Sequence, residues 1–286
     1  AQKAGLHAGD KIIKVDGKEM KGKSTEDVSS LLKGQSGTPL SIEIDRNGLI
    51  STVELIRENV KLPEVPYAGI IDEKSAVGYV KLNSFTNTAS QNVETAIREL
   101  QNEGMSKLIL DLRGNGGGYL NVAEKIIDEF LEDRKLIVYS EGEHQAKRET
   151  FASSGGRFID GDLYVLIDAN SASASEIFAG AMQDWDRGLI VGRRSYGKGL
   201  VQRTIEFNDG AAMRLTISRY YTPTGRSIQR PYDEGVKAYQ QDLRNRGASG
   251  ELFSADSIHI NDSLIYYTPK NRKVYGGGGI IPDDVE

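Results

Sequence analysis

Leu163-Tyr164-Val165-Leu166-Ile167-Asp168-Ala169-Asn170-Ser171-Ala172-Ser173-Ala174-Ser175-Glu176-Ile177-Phe178-Ala179-Gly180-Ala181-Met182-Gln183 runs without a break from an apolar segment of strand length, through a string of small residues, into a helix. A serine at such a strand-to-helix junction sits at the positive end of the helix dipole. The unbonded N–H groups of the first helical turn can stabilise an oxyanion there, and small neighbours let a substrate backbone come close. Serine is also the favoured helix cap. The local pattern therefore admits both a nucleophile and a purely structural serine.

Two segments flanking this junction carry further chemistry. Upstream, Leu108-Ile109-Leu110-Asp111-Leu112-Arg113 leads into Gly114-Asn115-Gly116-Gly117-Gly118 and a helix. Glycine-rich turns of this kind cradle phosphate, present backbone donors to an oxyanion, or simply turn tightly at positive φ. Neither G-x-x-x-x-G-K-S/T nor G-x-G-x-x-G is present, which argues against nucleotide. Downstream, Arg194-Ser195-Tyr196-Gly197-Lys198-Gly199-Leu200-Val201-Gln202 places a lysine between two glycines, where it can be threaded into a tight site. Burial would favour the neutral amine that a general base requires. Lys198 and Gln202, four apart, share one face of a strand or a helix, and an uncharged glutamine could fix the amine without holding it protonated. The alternative is a surface lysine in a glycine turn. The chain has three histidines, His7, His144 and His259, each isolated from any glycine-bounded or strand-end context. A histidine-based triad and a zinc site are both disfavoured.

From Val77 onward, strands alternate with amphipathic helices. Val77 to Leu82, Lys107 to Leu112, Leu136 to Tyr139, Leu163 to Ile167 and Leu189 to Val191 read as strands. Helices are expected from Thr88 to Leu100, from Leu120 to Leu131 and from near Ser173. This alternation predicts an α/β (α+β mixed) domain over 77–286 with a mostly parallel sheet covered by helices. Residues 1–60 read as a separate small module, with a strand at Lys11 to Val15 and a helix capped by Ser24 and carrying Val28, Leu31 and Leu32 inward. A hairpin turns at Asn47-Gly48 between Pro39 to Ile44 and Thr52 to Ile56. Residues 61–76, with Pro63 and Pro66, read as a linker. Glu234 to Arg246 could form a helix inside a segment, Asp233 to Asp262, that carries no usable motif.

The net charge of −5 provides no basic field for nucleic acid. The sequence has no Cys, which excludes disulfides and thiolate chemistry. No apolar run is long enough to span a membrane, and no export signal is present in this chain.

Lys3-Ala4-Gly5-Leu6, Gly9-Asp10-Lys11-Ile12 and Val15-Asp16-Gly17 resemble the PDZ domain of bacterial proteases from its second half onward. The first strand and the carboxylate-binding loop of that family would precede residue 1. Over nearly the whole remaining chain the sequence resembles the carboxyl-terminal processing peptidases, a family of serine proteases. The match runs through Gly78 to Phe85, Leu110 to Gly118, Asn170 to Glu176, Gly192, Tyr196 to Gln202, Tyr220 to Gln229 and Gly277 to Asp283. The resemblance implies a core similar to the crotonase and Clp protease folds, built of ββα units, behind a PDZ domain lacking its first strand. It implies Ser173 as nucleophile, Lys198 as base and Gln202 as the residue orienting that lysine. The N–H of Ala174, with that of Gly117 or Gly118, would form the oxyanion hole, and Ser171 and Ser175 would cap or pack. Gly116 stands where many members carry Pro. No metal or organic cofactor is implied. The expected partners are protein or peptide substrates with accessible C-termini, homo-oligomerisation is left open, and the expected setting is the bacterial periplasm or another exported location. Three rivals remain at this level: a catalytically silent peptide-binding relative, an enzyme resting in an inactive state, and an acyl-CoA enzyme of the crotonase type. The last explains neither the PDZ module nor the lysine.

Overall fold

A computed structural model describes residues 2–60, 62–233, 235–252, 254, 257–258 and 262–285. The chain divides into two compact units, Ala1–Leu62 and Pro63–Glu286.

In the first unit, β1 (Lys11–Val15), β2 (Lys18–Glu19), β3 (Pro39–Arg46) and β4 (Leu49–Ile56) form an antiparallel sheet in the order β2-β1-β3-β4. Asn47 and Gly48 both take positive φ, the requirement of the tight hairpin turn between β3 and β4. Helix α1 (Thr25–Leu32) starts at a reciprocal cap. The Asp27 N–H donates to Ser24 Oγ at 3.2 Å and the Ser24 N–H returns to Asp27 Oδ2 at 3.3 Å, a device that stabilises a helix by about 1 kcal/mol. Val28, Leu31 and Leu32 then pack on a core of Val15, Met20, Leu40, Ile42 and Ile44, as the apolar spacing predicts.

The second unit opens with β5 (Tyr67–Asp72) and β6 (Val77–Lys81), followed by α2 (Ala89–Asn102), β7 (Lys107–Asp111) and α3 (Leu120–Asp128). Next come β8 (Leu136–Gly142), β9 (Gln145–Phe151), β10 (Asp162–Ile167), α4 (Ala174–Asp184) and β11 (Leu189–Gly192). The last part holds β12 (Leu200–Glu206), β13 (Ala212–Tyr221), α5 (Gly235–Ala248), β14 (Ile265–Tyr267), β15 (Lys273–Tyr275) and β16 (Asp284–Val285). The main sheet has the order β16-β11-β10-β7-β6-β5, and every neighbouring pair is parallel except the edge pair β5–β6. The segment read as a linker thus contributes a strand: Tyr67 to Asp72 pairs along β6, its two prolines lying just before it. Val93, Ile97 and Leu100 of α2 and Val122, Ala123, Ile126 and Ile127 of α3 bury against this sheet. Every residue of α4 is buried, its polar side chains Ser175, Glu176, Gln183 and Asp184 included. Phe130 is edge-on to both Phe158 and Phe178, with ring centroids 6.1 and 5.2 Å away.

A second, antiparallel sheet in the order β12-β13-β8-β9 was not foreseen beyond β8. Much of β12 and β13 is exposed, so the half-buried alternation that reveals a strand is missing from their sequences. No helix among the described residues is long and apolar enough to cross a membrane.

Candidate active site

The parallel strands β7 and β10 end side by side, and the glycine turn follows one and the serine turn the other. Short polar bonds lock the two turns together. Asp168 Oδ1 accepts from the N–H groups of Gly114 and Asn170, both at 2.9 Å, and from that of Ser171 at 3.0 Å. Ser171 Oγ donates to the Leu112 carbonyl at 2.8 Å and Ser175 Oγ to the Asn115 carbonyl at 2.9 Å. Both serines are fully buried and occupied as struts, while Ser173 between them is partly open.

Asn115 is the fastener that the sequence reading passed over. Its side chain, wholly buried, donates to the Leu82 carbonyl and accepts from the Gly117 N–H, each at 2.9 Å. This corrects the expectation for Gly117, whose amide hydrogen is already engaged. Gly118 carries no such internal bond. As the first helical residue, Ala174 has no intrahelical partner for its N–H. The turn needs its glycines for space as well as for positive φ. A Cβ on Gly117 would lie 2.6 Å from the Ala172 carbonyl oxygen and 2.9 Å from Ser173 Cβ, and one on Gly118 would lie 2.3 Å from the Phe85 carbonyl oxygen.

Ser173 itself adopts φ 57° and ψ −113°, a conformation that costs a non-glycine residue roughly 1–3 kcal/mol and persists only where its surroundings enforce it. The main restraint is Glu176. Its fully buried carboxylate accepts from the Ser173 N–H at 2.8 Å and the Lys198 N–H at 2.8 Å on Oε2, and from the Gly197 N–H at 2.6 Å and Ser195 Oγ at 2.5 Å on Oε1. Burial pushes this carboxyl above the ordinary range, against the pull of these four donors. One side chain therefore ties the backbone of the serine turn to the backbone of the lysine turn. Sequence reasoning missed it, although serine and glutamate three residues apart is the spacing of a capping box.

Lys198 is half-buried, Gln202 is exposed, and both face a cavity of about 470 Å³ whose other walls include Gly116, Ala172, Leu200 and Tyr239. Lys198, Leu200 and Gln202 line this cavity together, although the pairing register of β12 shifts between Val201 and Gln202. No hydrogen bond joins Ser173 Oγ, Lys198 Nζ and Gln202 to one another, so the orienting contact expected of Gln202 is not made. Two further charged clusters lie on the elements that carry the site. Arg226, with no exposed surface, reaches Asp184 Oδ1 and Gln183 Oε1, both at 2.7 Å, at the end of α4. Asp111, at the end of β7, holds Tyr79, Lys81 and Arg113. Although burial opposes it, these partners bring Asp111 down to about 2, and Tyr79 is pushed up to about 12 by burial and by Asp111. His7 and His144 are exposed, and His259 lies outside the described residues. Among the described residues no group of three or more His, Asp or Glu could hold a metal ion.

The peptidase family S41 model matches residues 76–238, and a PDZ domain model matches residues 1–46. A carboxy-terminal-processing protease of Bartonella bacilliformis is 33% identical over 291 aligned positions, covering 96% of this chain and 66% of that protein. A chloroplastic C-terminal processing peptidase of Tetradesmus obliquus is 36% identical over 249 positions, covering 80% of this chain and 52% of its own length. Among solved structures, a photosystem II D1 C-terminal processing protease superposes with a TM-score of 0.55 at 33% identity, covering 80% of this chain and 62% of that one. A putative S41 protease from Bacteroides fragilis shares the fold, with a TM-score of 0.59 at 18% identity over 90% of this chain and 72% of that one. The chain thus spans between about half and two thirds of the length of these curated relatives. With the strand-end serine, the glycine turn and the glycine-flanked lysine meeting in one place, this chain belongs to peptidase family S41.

Proposed function

We propose that the chain is a serine endopeptidase that cleaves proteins near their C-termini, with Ser173 as nucleophile and Lys198 as base. The observation that carries this reading is the Glu176 carboxylate, which fixes the amides of Ser173 and Lys198 on a single oxygen. A structural serine in a surface turn has no need of that link. In the reaction, neutral Lys198 Nζ takes the Ser173 Oγ proton as the oxygen attacks the scissile carbonyl. The oxyanion formed meets the N–H groups of Ala174 and Gly118. Collapse breaks the C–N bond, and the Lys198 ammonium gives its proton to the leaving amine. Water, deprotonated by the same lysine, then attacks the acyl carbonyl; the C–Oγ ester bond breaks, the acid leaves, and the Lys198 ammonium returns its proton to Ser173 Oγ. Gln202, on the wall of the same cavity, orients the amine once substrate closes the site, and the PDZ unit presents C-terminal segments of substrates. The proposed setting is the periplasm or another exported location.

The unmade bonds among Ser173, Lys198 and Gln202 favour a second reading of the same site as a resting enzyme that closes on substrate. Catalytic hydrogen bonds are often long before substrate binds. Proteolysis of an unstructured protein such as casein tests the first reading. Cleavage by the chain and its loss in folded Ser173→Ala and Lys198→Ala variants are the expected results. Cleavage surviving in Ser173→Ala overturns the assignment. Activity that is absent until the first strand and carboxylate-binding loop expected of the PDZ family are supplied together with a peptide ligand supports the resting form.

A further inference from the structure

The turn that carries Lys198 is irregular, yet its backbone is held from two sides. The N–H groups of Gly197 and Lys198 end on Glu176, that of Tyr196 on the Ser171 carbonyl at 2.9 Å, and that of Ser195 on the Ile280 carbonyl at 3.0 Å. The carbonyls face the opposite way, toward α5. Arg246, only 4% exposed, donates through Nη1 to the Ser195 carbonyl at 3.0 Å and through Nη2 to the Arg194 carbonyl. Its Nε donates to Glu251 Oε1 at 2.7 Å, and Glu251 takes both Nε and Nη2 of Arg194 at 2.6 and 2.7 Å. One planar guanidinium therefore brackets two consecutive carbonyls while a buried carboxylate neutralises it. A lysine could not reproduce that fork. Asp242, one turn before Arg246, pairs with Arg230, whose guanidinium stacks between Tyr196 and Tyr239 at 4.3 and 4.1 Å and whose N–H donates to the Gly197 carbonyl at 3.1 Å.

We propose that Arg246 is a positioning residue for the base, acting through the carbonyls of Arg194 and Ser195 to hold Lys198 in its cavity. The inference rests on Lys198 being the base. A buried arginine and a half-buried one sharing the Glu251 carboxylate, with Asp242 only 3.8 Å from the buried one, are a costly arrangement for stability alone. Their placement directly behind the lysine turn gives them a role in the chemistry.

The test compares wild type, R246M, R246K and K198A in peptide cleavage and in the rate of labelling by a small serine-directed fluorophosphonate. A displaced base lowers kcat and labelling about ten- to a hundredfold in R246M, with KM held within about twofold. R246K, which keeps the charge and loses the fork, falls between R246M and wild type. Wild-type kcat in folded R246M, or a raised KM at unchanged kcat, overturns the proposal. Should R246M not fold, R246K decides alone, and wild-type kcat in that variant overturns it equally. K198A separates the two levels. Activity retained there removes the base assignment itself, whereas an inactive K198A beside a fully active R246M removes only the role of Arg246.

Discussion

Replacing Glu176 by Gln keeps the shape of the side chain and removes one acceptor. Four donors now end on the carboxylate: three backbone N–H groups and the Ser195 hydroxyl. In the variant the amide NH2 must face one of the two pairs. Its best orientation turns it toward Ser195, whose hydroxyl can rotate to accept, and leaves the Gly197 N–H buried without an acceptor. An orphaned buried donor costs about 1–3 kcal/mol, and the surviving bonds lose the charge that strengthened them, about 1 kcal/mol more. The neutral side chain also escapes the burial penalty that pushes the Glu176 carboxyl upward, which offsets part of the loss. The net expectation is about 2 kcal/mol off the unfolding free energy. Catalysis should suffer more than stability, because the same substitution loosens the link between the Ser173 and Lys198 amides; kcat is expected to fall about ten- to a hundredfold. Denaturant unfolding followed by fluorescence of Trp185 gives the first quantity, and peptide cleavage under saturating substrate gives the second. A Glu176→Gln chain as stable and as fast as wild type would refute the claim that this carboxylate couples the two turns.

Gly118→Ala places a Cβ 2.3 Å from the Phe85 carbonyl oxygen, so the turn must shift and carry its free N–H away. Cleavage is expected to drop about a hundredfold or more with the fold retained, as for loss of an oxyanion donor. Arg226→Met strips a fully buried carboxylate, Asp184, of its ion-pair partner. Thr224 still donates to that carboxylate, so a loss of about 3 kcal/mol in denaturant unfolding is expected, at the lower end for a broken buried pair. Asp111 falls from the ordinary 3.8 to about 2 in the folded chain. Its stabilising contribution is therefore present above pH 3.8 and is lost as pH drops through about 2. Asp111→Asn should cost about 1–2 kcal/mol at neutral pH, and that gap should close in unfolding curves taken toward the acid end.

The sequence revealed most where residue type and backbone need coincide. Val93, Ile97 and Leu100 announce α2, and the apolar runs of β7 and β10 announce the parallel sheet. The glycine turn and the Ser-Ala-Ser-Ala-Ser run mark the place where those strands end. Interactions between distant segments were harder to read. Glu176 and Lys198 meet only because β11 returns the chain beside β10, and nothing local to either residue shows that bond. Gly117 and Gly118 look interchangeable in sequence, and only the Asn115 side chain decides which amide is engaged. Tyr67 to Asp72 was hidden between prolines and charged residues, an edge strand whose pairing on one side alone leaves little apolar signal. The α5 segment offered a helical pattern without a role, because the function of Arg246 depends on carbonyls some fifty residues earlier in the chain.

The most direct test of the central claim is to treat the folded chain with the fluorophosphonate and locate the adduct by peptide mass spectrometry. The account predicts a single modified side chain, Ser173, with labelling abolished in Ser173→Ala and strongly slowed in Lys198→Ala. An adduct on Ser171 or Ser175, or labelling that proceeds unchanged without Lys198, would contradict it.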